Sequence, residues 1–248
     1  MLHILHGLPY PYSEDLLLQL ELRGISRLNP HVPIRATPIT PHILKSFYMQ
    51  MDGNNSLHLS VWACSLFAFF MMARLGSILP ASSSTATHKF LTRDRVNLAV
   101  QGLLVTFLHT KTIQFGKRRL HVPLLKVDSI FCPVTAYLNF SNSLPLSAHG
   151  PAFMFYDHKK SKLQWLTTGK FITTFRAVLA AGKVEHASTF TGHSFRRGGA
   201  SWALQSGLPG ELIQICGDWV SDSYKIYLEF SMDNKVHLAA RLTKDLPC

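Results

Sequence analysis

Two short blocks near the C-terminal end gather residue types that do chemistry on an anion. The first reads Thr191-Gly-His-Ser-Phe-Arg-Arg-Gly-Gly-Ala200, the second Gly217-Asp-Trp-Val-Ser-Asp-Ser-Tyr-Lys-Ile-Tyr-Leu228. His193 and Arg196 stand three residues apart and share one face of the helix this stretch predicts. A helix start beside His193 adds unpaired backbone amides, which favour an anion. Trp219 offers an indole N–H and Tyr227 a phenol. Cations to hold a phosphate, donors for its developing charge and a phenol to attack it suit a phosphodiester. Ordinary duties compete: His193 as a helix cap, Trp219 in core packing, Tyr227 as a half-buried aromatic.

The composition agrees with a polyanionic partner. The 248 residues hold 25 Lys and Arg against 14 Asp and Glu, a net charge of +11. Nucleic acid is the first candidate and an anionic membrane surface the second; a solubilising excess of lysine is the bland alternative. With 47% hydrophobic residues the chain has material for a large core and is not a disordered one. Cys64, Cys132, Cys216 and Cys248 are dispersed with no CxxC spacing, which argues against a zinc site or disulfide framework and fits a reducing compartment. His3 and His6 have no further metal ligand in view. The N-terminus lacks the pattern of a secretory signal. Residues 59–73 are uncharged and mostly apolar, but shorter than the roughly 20 needed to span a bilayer, so they read as a helix buried in a globular core.

The elements that must position these groups are mostly helical. Ser13 is a candidate N-cap for a helix within residues 1–24, and a proline-rich linker runs from Asn29 to Pro41. Thr40-Pro41 caps a helix to about Met51, and a buried helix covers 57–75. Val96–Val100, Gly102–Leu108 and Arg119–Pro123 read as short strands, the first two joined by a tight turn, the last two by the loop His109–Arg118. Pro133 begins another helix; 144–166 is irregular, with a strand at Phe153–Tyr156. Helices follow at Thr168–Ala181, His193–Gln205, Pro209–Cys216, Ser221–Phe230 and Asn234–Leu242. The expected fold class is mainly α with a small antiparallel β-sheet (α+β).

Over roughly residues 26–232 the chain resembles the catalytic domain of the tyrosine recombinases, the phage integrase family. The wording Gly192-His-Ser-Phe-Arg-Arg-Gly-Gly and Gly217-Asp-Trp-Val-Ser-Asp is especially like recombinases of DIRS and Crypton-like eukaryotic mobile elements. The resemblance implies a tyrosine that attacks the scissile phosphate of double-stranded DNA to give a 3′-phosphotyrosyl bond, later reversed by a free 5′-hydroxyl. It also implies a homotetramer on DNA, a nuclear site of action, and no metal, cofactor or small-molecule substrate. Residues 1–25 would be a remnant of an N-terminal helical clamp domain, and 26–248 the catalytic domain with a tail helix at its end.

Carried over residue by residue, Tyr227 matches the nucleophile, with Tyr224 one turn earlier as its rival. Arg74 and Arg196 match two arginines whose guanidinium forks can each hold two phosphate oxygens. Ser77 stands where the family often has an acid. His193 matches a donor and proton acceptor, and Trp219 takes a position where many relatives have histidine. Lys111 matches the hairpin lysine that protonates the leaving 5′-oxygen; Lys117 in the same loop is its rival. Lys117, Arg118, Arg119 and Arg197 are candidate DNA contacts. Two other readings stand beside this one. A helix–turn–helix module over Ala200–Cys216 would bind DNA without cleaving it, and a type IB topoisomerase would share the chemistry without strand exchange.

Overall fold

The computed structural model describes residues 15–28, 36–113, 118–147 and 149–228, with Met232 and Val236. The chain divides into two compact units, Met1–Arg35 and Ala36–Cys248. In the first unit, α1 (Leu16–Leu28) opens on Asp15, whose Oδ1 accepts from the Leu18 amide at 3.1 Å. The carboxylate does the capping expected of Ser13, which lies outside the described residues.

The second unit starts its regular structure at α2 (Pro41–Gln50), with Pro41 in its first turn and Thr40 Oγ1 accepting from the Ile43 amide at 3.3 Å. Its centre is α3 (Ser56–Phe70), in which every residue from Ser60 to Phe69 is buried. A helix apolar on all sides belongs inside a domain. Ser65 is accommodated there by donating to the Val61 carbonyl at 2.7 Å. No helix among the described residues is long and apolar enough to cross a membrane.

α3 stops at Phe70 rather than continuing to residue 75. Met72 takes a left-handed conformation, φ 47°, and the amides of Met72 and Ala73 turn back to the carbonyls of Phe69 and Ala68, each at 3.1 Å. Glycine usually fills this helix-ending position; methionine there is strained by on the order of 1 kcal/mol. The break leaves Arg74 extended ahead of a single turn, α4 (Leu75–Ile78). Apolar periodicity misses it because Leu75 and Ile78 continue the hydrophobic run.

A three-stranded antiparallel sheet follows, β1 (Val96–Ala99), β2 (Gly102–Phe107) and β3 (Leu120–Leu125), in that order. Ala99 opposite Gly102 leaves Val100-Gln101 as a two-residue turn. Phe107 opposite Leu120 makes residues 108–119 the connection that carries Lys111. Leu103, Val105 and Phe107 alternate into the core. After α5 (Pro133–Asn142), β4 (Met154–Asp157) and β5 (Lys162–Trp165) form a second hairpin. β5 lies in the stretch expected to be irregular: four residues, none fully buried, carry too little alternation to be read.

α6 (Thr168–Ala181) has Thr167 as its N-cap and Gly182 at its C-cap. α7 (Gly192–Gln205) and α8 (Gly210–Cys216) match expectation closely, whereas Ser221–Phe230 is replaced by a 3₁₀ turn, Asp222–Tyr227. The tail helix expected over 234–242 falls outside the described residues. Around α3 pack α5, α6, α7 and β4, giving the expected mainly α fold with small antiparallel sheets.

α7 crosses its neighbours at backbone contact. A Cβ on Gly198 would lie 1.9 Å from the Ile39 carbonyl oxygen, and one on Gly199 2.0 Å from that of Phe69. Both glycines therefore serve helix packing. Gly199→Ala is expected to destabilise the protein by about 1–3 kcal/mol, as overpacking against rigid backbone does. In urea the unfolding midpoint falls while the slope stays unchanged.

Candidate active site

The first turn of α7 sets one wall. Thr191 is extended (φ −128°, ψ 178°), and its amide donates to Ser194 Oγ at 2.9 Å, which fixes the helix start. His193 lies exposed to solvent in that turn, its ring partly enclosed by neighbouring protein, and Arg196 follows one turn later on the same face.

Arg196 is 2% exposed. Its guanidinium carbon lies over the Trp219 indole, 3.6 Å from the ring centroid, and the group donates through Nη1 to the Met72 carbonyl. Nε and Nη2 are buried with no acceptor in hydrogen-bonding geometry. Burial foremost, with the charge of Arg74 acting in the same direction and Tyr227 and Asp218 opposing, lowers the Arg196 pKa to about 9. The group still carries its charge at neutral pH.

Trp219 reaches this position because Gly217 has no side chain: a Cβ there would lie 1.5 Å from the indole. The indole Nε1 is also buried without an acceptor. The Tyr227 ring is half-buried, 5.6 Å from that of Trp219, and the Arg196 guanidinium carbon lies 5.7 Å from its centroid. Tyr224 is placed differently. It is 5% exposed in an apolar cluster with Met72, Ala200, Ile213 and Trp219, and its hydroxyl is the nearest atom to a Cβ built on Gly210.

The opposite wall comes from the α3–α4 break and the β2–β3 connection. Arg74, Lys111 and His193 line a cleft of about 540 Å³ together with Lys89 and His109. Arg74 also lines a narrow crevice with Arg196, Asp218 and Ser77, which joins the two walls. Burial holds the His193 pKa below 6.5, and the charges of Arg74, Arg196 and Lys111 press it in the same direction. The imidazole is thus neutral at pH 7, able to donate from one nitrogen and accept at the other.

Of the candidate DNA contacts, Lys117 lies outside the described residues. Arg119 is exposed just before β3. Arg118 pairs with Asp218, and Arg197 is 8% exposed, so it offers little surface to a duplex. Ser77, in place of an acid, is buried and donates its amide to the Arg74 carbonyl at 2.9 Å.

Two contributors were not read from sequence, the Met72 carbonyl and the Asp218 carboxylate. The first depends on a helix break with no glycine to mark it. The second had a faint signal, an aspartate directly after the glycine that ends a helix. Among the described residues no three His, Cys, Asp or Glu side chains gather as a metal site would require.

No family model and no curated protein matches the chain. Solved structures do. A XerH site-specific recombinase bound to a palindromic difH substrate superposes with a TM-score of 0.56 at 14% identity, over 83% of this chain and 53% of that one. XerA recombinase gives 0.59 at 13% identity over 86% and 65%. A lambda integrase dimer bound to a COC′ core site gives 0.52 at 11% identity over 80% and 61%. The chain therefore spans about half the length of XerH. These neighbours are tyrosine recombinases, and the fold is that of their catalytic domain.

Proposed function

We propose that the protein cleaves and rejoins DNA strands through a 3′-phosphotyrosyl intermediate on Tyr227. The observation that carries this reading is that Arg74, Lys111 and His193 line one cleft while Arg74 and Arg196 line the adjoining crevice, with Tyr227 beside Arg196. Three buried donors without acceptors, Nε and Nη2 of Arg196 and Nε1 of Trp219, add to it. A buried unpaired donor costs about 1–3 kcal/mol, and phosphate oxygens would remove that cost.

In the proposed step the Tyr227 oxygen attacks phosphorus, and the new O–P bond forms as the P–O5′ bond breaks. Lys111 gives a proton to the departing 5′-oxygen, and His193 handles the phenol proton. Attack by a 5′-hydroxyl on the phosphotyrosyl bond runs the same path backwards. The reading extends to a homotetramer on two duplexes acting in the nucleus, with kinship to DIRS and Crypton-like elements. α8 carries Glu211 and no arginine or lysine, which weighs against a helix–turn–helix reader.

The test is capture of covalent adducts on nicked duplexes of randomised sequence, resolved on a denaturing gel. An adduct with strand exchange supports the proposal. Binding alone, falling steeply with salt, would make the protein a DNA-binding module. Plasmid relaxation without exchange would make it a topoisomerase.

The histidine supplies a pH prediction. His193 must be neutral to accept a proton, and its pKa in the free protein lies below 6.5. At subsaturating DNA the rate reports the free protein, so the acid limb of the cleavage profile is expected below pH 6.5. Stability follows the same sign. A pKa depressed on folding means the unfolded chain binds the proton more tightly, so stability falls as pH drops through 6.5.

A further inference from the structure

The aspartate that follows α8 is tied to the loop that carries Lys111. Asp218 is left-handed, φ 54°. Its amide turns back to Ile215 at 3.1 Å, and that of Trp219 to Gln214 at 3.0 Å. Helices that end this way usually place glycine at the left-handed position. Here its side chain is used instead. Asp218 Oδ2 accepts from Thr112 Oγ1, and Oδ1 pairs with Arg118 Nη2. One carboxylate thus holds two points of the β2–β3 connection, 106 and 100 positions away in sequence. Its side chain is only 15% exposed.

The loop is built to pass this contact on to Lys111. Thr110 Oγ1 accepts from the amides of Thr112 and Ile113 at 3.2 and 3.0 Å, and the Thr110 amide donates to the Ile113 carbonyl at 3.0 Å. Ile113 is fully buried as the anchor of this turn. Lys111 is exposed at the tip between two threonines, one of them bound to Asp218. Fixing Thr112 therefore fixes the backbone from which the Lys111 ammonium extends.

We propose that Asp218 is the positioning residue for Lys111, a latch between the Trp219–Tyr227 block and the hairpin loop that sets where the ammonium meets the leaving 5′-oxygen. The inference rests on the reading of Lys111 as proton donor. Asp218 touches no reacting atom; it acts through Thr112 and Arg118.

Leaving-group chemistry tests this. When P–O5′ breaks, the 5′-oxygen needs a proton. In a 5′-bridging phosphorothiolate, P–S5′ breaks instead, and the thiolate leaves without one. Asp218→Gly suits the left-handed backbone and removes only the carboxylate, while Asp218→Asn retains an acceptor for Thr112. The full-length chain, Asp218→Gly, Asp218→Asn, Thr112→Val and Lys111→Ala are compared on oxygen and sulfur substrates in single turnover, with DNA affinity measured separately.

Asp218→Gly is expected to slow cleavage of the oxygen substrate by about 10- to 100-fold, the effect of a catalytic group misplaced by around an ångström. The sulfur substrate restores the rate, affinity is unchanged, and Asp218→Asn and Thr112→Val fall between. With Lys111→Ala rescued by sulfur, wild-type rates for Asp218→Gly on oxygen, or equal losses on both substrates, overturn the latch and leave Lys111 as donor. Failure of sulfur to rescue Lys111→Ala overturns the donor reading and the latch together.

Discussion

Tyr227→Phe is expected to abolish the covalent protein–DNA adduct completely while leaving DNA affinity within roughly threefold of wild type, a change under 1 kcal/mol. In the proposed step the phenol supplies the attacking atom. Tyr224, the nearest phenol in sequence, is 5% exposed and packed with Met72, Ala200 and Ile213. The phenyl ring that remains keeps the contact with Trp219, whose ring lies 5.6 Å away, so the cation site is not dismantled. Tyr224→Phe is the control: it removes a hydroxyl far from solvent and retains the adduct. An adduct persisting in Tyr227→Phe and lost in Tyr224→Phe would transfer the nucleophile to Tyr224 and refute the present assignment.

The contrast between the two tyrosines shows what a sequence can and cannot state. Tyr224 and Tyr227 stand five and eight residues after Trp219, and the spacing together with the Tyr-Leu ending favours Tyr227. The structure separates them by burial. Both rings face Trp219, as side chains three apart in the 3₁₀ turn Asp222–Tyr227 do, but Tyr224 is 5% exposed whereas Tyr227 is half-buried beside Arg196. Elements whose ends carry chemical punctuation were legible. Thr40-Pro41, Thr167 with Gly182, and the Gly-His start of α7 all stand where capping rules put them.

The span of α8 was legible, but the stop of α3 and the strained residue that follows each of these helices were not. At Met72 and Asp218 the chain enters left-handed backbone without glycine, at φ 47° and 54°. Local preference argues against both conformations, and long-range bonds compensate: Arg196 to the Met72 carbonyl, Thr112 and Arg118 to Asp218. Each of these pairs is distant in sequence, so no window of neighbouring residues contains the information. Asp218 lines the crevice and the Met72 carbonyl holds Arg196, as expected where a fold gives up local comfort to place functional groups.

Arg196 carries that trade furthest. With its pKa lowered to about 9 in the fold, the unfolded chain holds the proton more tightly, and the charge costs roughly 5 kcal/mol of stability at neutral pH. That cost is present in full below pH 9 and declines only as pH rises above it. The stack on Trp219, 3.6 Å away, and the bond to Met72 return part of it, about 2 kcal/mol for a desolvated cation–π contact. Arg196→Met fills the same volume without charge, so it is expected to melt at or above the wild-type temperature. Cleavage nonetheless falls by on the order of 10²–10³, the loss that follows removal of a preorganised donor from a transition state. DNA should raise the melting temperature of wild type more than that of Arg196→Met, because in the wild type phosphate oxygens satisfy Nε and Nη2. Differential scanning calorimetry with and without DNA, beside single-turnover cleavage, reads all three. A variant that melts well below wild type would make Arg196 a stabilising core residue and refute its role as a buried charge held for a phosphate.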